Sequence, residues 1–126
     1  MKEESRGFLG KVERALRAAE ILLREEDGES AVGRAYYAML HVAQALLREK
    51  DLRYRKHAGV HSAYGEHFAK TAILDPKFHR WMLAAFSNRL KGDYDFDVAI
   101  DLETASVTVQ QARDFLTEAR RFLEKA

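Results

Sequence analysis

Residues 31–50 read AVGRAYYAMLHVAQALLREK. Val32, Ala35, Tyr36, Met39, Ala43, Leu46 and Leu47 recur at three- and four-residue steps, the spacing that gathers side chains on one face of an α-helix. A second set, Arg34, Tyr37, His41, Gln44 and Arg48, advances by three, four, three and four and forms its own stripe beside the first. The apolar stripe is a core seam. The polar stripe is either a solvated face or the wall of a groove for a ligand or a second copy, and Tyr and His are unusual choices for solubility alone.

The pattern extends in both directions. Upstream, about Ser5 to Glu26, Phe8, Val12, Ala15, Ala19 and Leu22 keep helical steps, with Leu9, Leu16 and Leu23 on the adjoining row. Asp27-Gly28-Glu29-Ser30 is a short break in which Asp27 or Ser30 can cap the next helix, and a loop this short predicts antiparallel neighbours. Downstream, Val60, Tyr64 and Phe68 mark a weaker helix from about Ala58 to Lys70, weakened by Gly59 and Gly65. Asp75-Pro76 starts a fourth helix, since Asp caps and proline suits the first helical position, and Gly92 is the expected stop. The last helix, about Leu102 to Lys125, is expected to bury Leu102, Ala105, Val109, Ala112, Leu116, Ala119 and Leu123. The 19 Ala and 14 Leu against 14 Val, Ile and Thr together, with one proline, agree. These elements predict an all-α fold, an antiparallel four- to five-helix up-and-down bundle, with residues 1–126 forming one domain.

Several chemistries are excluded. Without cysteine there are no disulfides and no thiolate catalysis. The formal net charge of +1 imposes no whole-molecule attraction to nucleic acid or membrane, so local charge has to decide. No stretch approaches the ~18 uninterrupted apolar residues of a membrane span, so no membrane partner and a cytoplasmic location are expected. His57 and His61 have the i, i+4 spacing of a helical zinc pair, but position 58 is Ala where the protease motif requires Glu and no third ligand is apparent. Asp93, Asp95, Asp97 and Asp101 imitate an EF-hand loop, yet Val98 occupies its glycine position and Thr104 its bidentate Glu. Neither a metal nor a cofactor is expected; no Gly-rich phosphate loop and no Gly-x-Ser-x-Gly occurs.

Two basic features remain. Arg48 to His57 holds five basic and two acidic groups around Tyr54, a composition that can grip phosphate and stack a base, or simply form a solvated connector. In the fourth helix the apolar row Phe78, Met82, Ala85 continues to Arg89. Burying that charge alone would cost several kcal/mol, so it is expected at the core's edge with a partner. If the helix persists one more turn, Asp93 at i+4 supplies it and orients the guanidinium toward a phosphate.

Ser30-Ala-Val-Gly-Arg-Ala-Tyr-Tyr-Ala-Met-Leu-His41, followed by Arg89-Leu-Lys-Gly-Asp-Tyr94, resembles the HEPN family, the higher eukaryote and prokaryote nucleotide-binding domains. The resemblance covers nearly the whole chain. It implies an antiparallel helical bundle, usually a homodimer, whose members include metal-independent endoribonucleases and toxins encoded beside a minimal nucleotidyltransferase. It therefore implies RNA or nucleotide as a partner. The family's catalytic signature is an arginine followed after four to six residues by a histidine. Arg89 matches the arginine, but the place five residues on is Tyr94, a phenol whose ordinary pKa near 10 makes it a poor base at neutral pH. The catalytic candidates are Arg89, Asp93 and Tyr94. Arg34, Tyr37, His41 and Arg48 are the candidates for nucleotide or RNA binding. Arg34 and His41 satisfy the arginine–histidine count too, but about 10 Å apart along one helix they are too far to grip one phosphate within a chain. Two further readings stay open: a non-catalytic module partnered with, or modified at Tyr94 by, a nucleotidyltransferase, and a purely structural helical dimer.

Overall fold

A computed structural model describes residues 1–125, and most of these are helical, with no strand among them. The helices are α1 (Glu3–Arg24), α2 (Gly28–Glu49), α3 (His57–Tyr64), α4 (Lys77–Tyr94) and α5 (Leu102–Lys125). A π-helical turn, Gly65–Ala69, widens the end of α3. None of the described helices is long and apolar enough to cross a membrane.

The four long helices run up and down. Ser5 at the start of α1 donates to the carbonyl of Ala45 near the end of α2, so the pair is antiparallel. Glu20–Arg113 and Glu13–Arg120 ion pairs set α5 antiparallel to α1. Phe78 at the start of α4 stacks on Phe115 in the second half of α5, with centroids 5.0 Å apart. α2 is the hub, touching α1, α3, α4 and α5. It buries Ala31, Val32, Ala35, Tyr36, Ala38, Met39, Leu40, Val42, Ala43, Ala45, Leu46 and Leu47, far more than the single seam that periodicity marked.

Local chemistry explains most boundaries. Asp27 is the cap of α2, accepting from the Ser30 N–H at 3.1 Å. Asp75 accepts from the Lys77 N–H at 2.9 Å, so α4 begins one residue beyond the proline. Two expectations need correction. Gly92 is no stop: α4 runs on to Tyr94, and Gly92 instead provides room, since a Cβ there would lie 2.7 Å from Cγ of Glu29. Leu102 is not a core residue; it opens α5 with 39 % of its surface exposed, before the helix has reached its neighbours. Phe115 and Thr108, outside the expected row, are buried.

Gly28 lies where α2 starts against the segment leading into α5. A Cβ at this position would stand 2.7 Å from the Ile100 carbonyl oxygen, and a backbone oxygen cannot swing aside. Alanine normally stabilises a helix by up to about 1 kcal/mol over glycine; here Gly28→Ala is expected to destabilise by about 1–3 kcal/mol, measured as a lower denaturant midpoint at unchanged slope.

Candidate functional site

The polar stripe of α2 is the strip its neighbours leave uncovered. Arg34 is exposed, and Tyr37, His41, Gln44 and Arg48 are partly exposed, while nearly everything else on the helix is buried. Two depressions of about 270 and 250 Å³ lie along this strip and share Arg34 and Tyr37. The first is completed by Glu29, Ser30, Arg89 and Asp93, the second by Lys11, Arg14 and His41. Together they form one groove across α1, α2 and the end of α4.

The centre of the groove is the Tyr37 ring. The guanidinium carbon of Arg34 lies 4.7 Å from its centroid and that of Arg89 5.0 Å, so the two cations are at most about 10 Å apart. At that separation they repel by roughly 0.4 kcal/mol in water and ~1.7 kcal/mol at an effective dielectric of 20. An anion between them reverses the sign. Arg89 also stands 5.7 Å from the Tyr36 ring and is held from the Nε side by Asp93 at 3.4 Å, its side chain 23 % exposed. The expected placement at the core's edge, beside Asp93, is what the extra turn of α4 produces. Among the described residues Lys11, Arg14 and Arg34 have no carboxylate partner, because the acids of α1 on the other side, Glu13 and Glu20, pair with α5.

Two candidates stand apart. Arg48 pairs with Glu4 of α1 and covers Phe8 at 5.1 Å, one end of a small network in which Glu4 also accepts from Arg53 at 2.7 Å. Tyr94, 79 % exposed, ends α4 and does not line the groove. His41 does line it, with Nδ1 at 2.9 Å from Oε1 of Gln44. Its pKa is lowered chiefly by burial, with the charges of Lys11 and Arg34 acting in the same direction.

Periodicity missed a second cluster directly beneath Arg89. The phenol of Tyr36, fully buried, lies 3.1 Å from Nδ1 of His57 and 2.7 Å from Nε2 of His61. Phe86 of α4 packs on all three rings, with centroids 5.2 Å from Tyr36, 6.3 Å from His57 and 4.9 Å from His61. The i, i+4 histidine pair thus brackets a phenol. Its spacing was visible in sequence; its partner on α2 was not. Burial pushes the Tyr36 pKa up, lowers that of His57 with help from Arg89, and holds His61 down to about 4. His79 fixes the outer side, its Nε2–H donating to the His61 carbonyl at 3.1 Å where Gly65 leaves space for the ring.

The His61 shift has a stability consequence. In the unfolded chain His61 takes a proton near pH 6.5, while in the folded chain it stays neutral until about pH 4. The unfolded state therefore binds more protons across that window, and stability falls as pH drops through it, by about 3 kcal/mol from this group. Unfolding free energies measured between pH 7 and 4, with the His61 ring followed by NMR titration, are expected to show this loss and a ring still neutral at pH 5.

Comparison with known proteins identifies the family. The HEPN domain is matched over residues 6–126. Two proteins of Methanocaldococcus jannaschii, each carrying the name "Putative toxin", are 32% identical, over 97% and 99% of this chain and 83% and 92% of their own length. A UPF0332 protein of Thermotoga maritima is 33% identical over 84% of this chain and 80% of its own. With the family matched over nearly its whole length and an all-helical bundle to accompany it, the chain belongs to the HEPN domain family.

Proposed function

We propose that this chain is a toxin-type HEPN protein that binds RNA along the α1–α2–α4 groove, acting as one domain over residues 1–126, in the cytoplasm and as a homodimer. The observation that carries the reading is the pair of guanidiniums, Arg34 and Arg89, over the single ring of Tyr37. An arginine fork matches phosphate oxygens, and Lys11 and Arg14 extend the positive surface toward His41 for a second phosphate. His41 supplies a π-face for a base, worth ~1–3 kcal/mol per stacked base in single-strand binding. Glu29 and Asp93 close the other end of the groove and give the strand a direction. The toxin part of the reading leans on the names of the two Methanocaldococcus relatives.

Binding through phosphates releases counterions, so affinity for single-stranded RNA is expected to fall linearly with log salt. Arg34→Ala and Arg89→Ala are each expected to weaken binding at low salt and reduce the slope by about 0.7. Fluorescence anisotropy with a labelled oligonucleotide over a salt series checks this; an affinity indifferent to salt, or slopes unchanged in both variants, rejects the groove. Light scattering reads the subunit number, and growth of cells expressing wild type against Arg89→Ala reads toxicity.

A second reading rests on Tyr94. Its exposure at the end of α4, beside the acidic segment Asp95–Asp97, makes it a reachable acceptor for nucleotidylation by a partner nucleotidyltransferase. Incubation with a minimal nucleotidyltransferase and ATP is then expected to add nucleotide mass to wild type and none to Tyr94→Phe.

A further inference from the structure

We infer that the depression at the α4 end of the groove reads one base, guanine, whose edge is held by the Glu29 carboxylate above the bare helix backbone at Gly33. The inference rests on RNA as the ligand of the groove and deepens it, from contact with phosphates to the choice of one nucleotide.

Two glycines mark the subsite. Gly33 lies inside α2, where glycine weakens a helix relative to alanine, yet a Cβ there would meet nothing within 4 Å. Packing within the chain therefore gives no reason for it. Gly33 does line the depression of about 270 Å³, on one helical row with Glu29 and Tyr37 and about 6 Å along the axis from each. What a glycine provides here is open floor between a carboxylate and the two guanidiniums. Gly92 has the complementary part. A Cβ on it would stand 2.7 Å from Cγ, 3.1 Å from Cδ and 3.2 Å from Oε1 of Glu29, so only glycine lets that carboxylate rest against the last turn of α4.

Charge makes Glu29 the odd member of the depression. It shares the site with Arg34 and Arg89 but has no ion-pair or hydrogen-bond partner among the described residues. Arg89 takes Asp93 instead, and Arg34 lies over the Tyr37 ring. Both Glu29 oxygens are thus available to a ligand.

The acceptor chooses the base. A carboxylate accepts hydrogen bonds and donates none. Guanine is the one RNA base whose Watson–Crick edge offers two adjacent donors, N1–H and the N2 amino group, a match for two carboxylate oxygens. Adenine and cytosine place their amino donor beside a ring nitrogen that a carboxylate repels, and uracil has a single N–H between two carbonyls. The Ser30 hydroxyl, next along the wall, is the donor for guanine O6, and Leu22 offers the ring an apolar edge. The phosphate of the same nucleotide then falls to Arg34 and Arg89 beside Tyr37. The volume suits a single base, being smaller than the ~300–1,000 Å³ of sites for drug-sized ligands.

The test is fluorescence anisotropy at low salt with short labelled oligouridines carrying one central guanosine, inosine, adenosine or cytidine. Wild type is expected to bind the guanosine strand about ten- to a hundredfold more tightly than the adenosine, cytidine and all-uridine strands. Inosine, which lacks the N2 amino group, is expected in between. Glu29→Gln keeps the size of the side chain and turns one acceptor into a donor; it is expected to bind all strands alike, with the salt slope of wild type. Gly33→Ala is expected to raise the denaturant midpoint, as alanine does at an open helical position, and yet to lose the guanosine preference. The guanine subsite is overturned, and RNA binding left in place, by wild type that binds all strands equally or prefers adenosine or cytidine. Inosine bound as tightly as guanosine, or a guanosine preference that survives Glu29→Gln or Gly33→Ala, overturns it too. Failure of wild type to bind any strand at low salt removes the underlying reading itself.

Discussion

A 22-residue helix enclosed by four others has to carry small and aliphatic side chains on most of its circumference, and α2 does, with Ala, Val, Leu or Met at half of its positions. The enclosure leaves it one strip for polar residues. Because that strip is narrow, Arg34, Tyr37 and His41 cannot disperse over a surface; they line up in a groove whose walls are α1 and the end of α4. Tyr36 sits at the border between the buried and open sides. Its ring belongs to the core while its hydroxyl needs a partner, since a buried hydroxyl left unpaired costs about 1–3 kcal/mol. His57 and His61 supply that partner from α3. The pairing of this phenol therefore joins α3 to α2 beside the apolar contacts of Val60 and Ala63.

The same packing explains the behaviour of Arg89. It occupies the next position of an apolar row, so helix geometry directs it at the core, yet it stops over the faces of Tyr36 and Tyr37 where the ring quadrupoles stabilise a cation. Asp93 steadies the Nε edge. Gly92 lets the last turn of α4 pass the start of α2 closely enough for this to happen, with Glu29 in the space a side chain would otherwise fill. A residue chosen for close approach looked, in sequence, like a helix stop.

Much of the fold was legible because each long helix repeats its own pattern: α5 was located to the residue, and the antiparallel setting of α1 and α2 followed from the short loop between them. The groove was half legible. Arg34, Tyr37 and His41 share one helix and so one periodicity, and Arg89 betrayed itself by interrupting an apolar row. His57 and His61 were visible as a pair, but their significance depends on Tyr36, 21 and 25 residues earlier, and such a contact has no local signature. Arg48 shows the opposite failure. It continues the stripe by counting, yet α1 offers Glu4 at that level, and an ion pair takes it.

Charge sorting accounts for the remaining gap between composition and site. A chain with 21 basic and 20 acidic residues has no net field to speak of, and its balance would argue against an anion partner if charges were scattered at random. They are not. α1 sends Glu13 and Glu20 toward arginines of α5 and Glu4 toward Arg48 and Arg53, while Lys11 and Arg14 stay on the side that faces the groove. Exposed ion pairs of this kind contribute little stability each, about 0–1 kcal/mol, so stability is a weak explanation for the pattern. Their larger effect is electrostatic: each carboxylate neutralised elsewhere on α1 is one that does not cancel the potential between Arg34 and Arg89. A near-neutral protein can hold a locally cationic groove only by spending its acids in this way, and a second helix of arginines on α5 is what lets α1 do so.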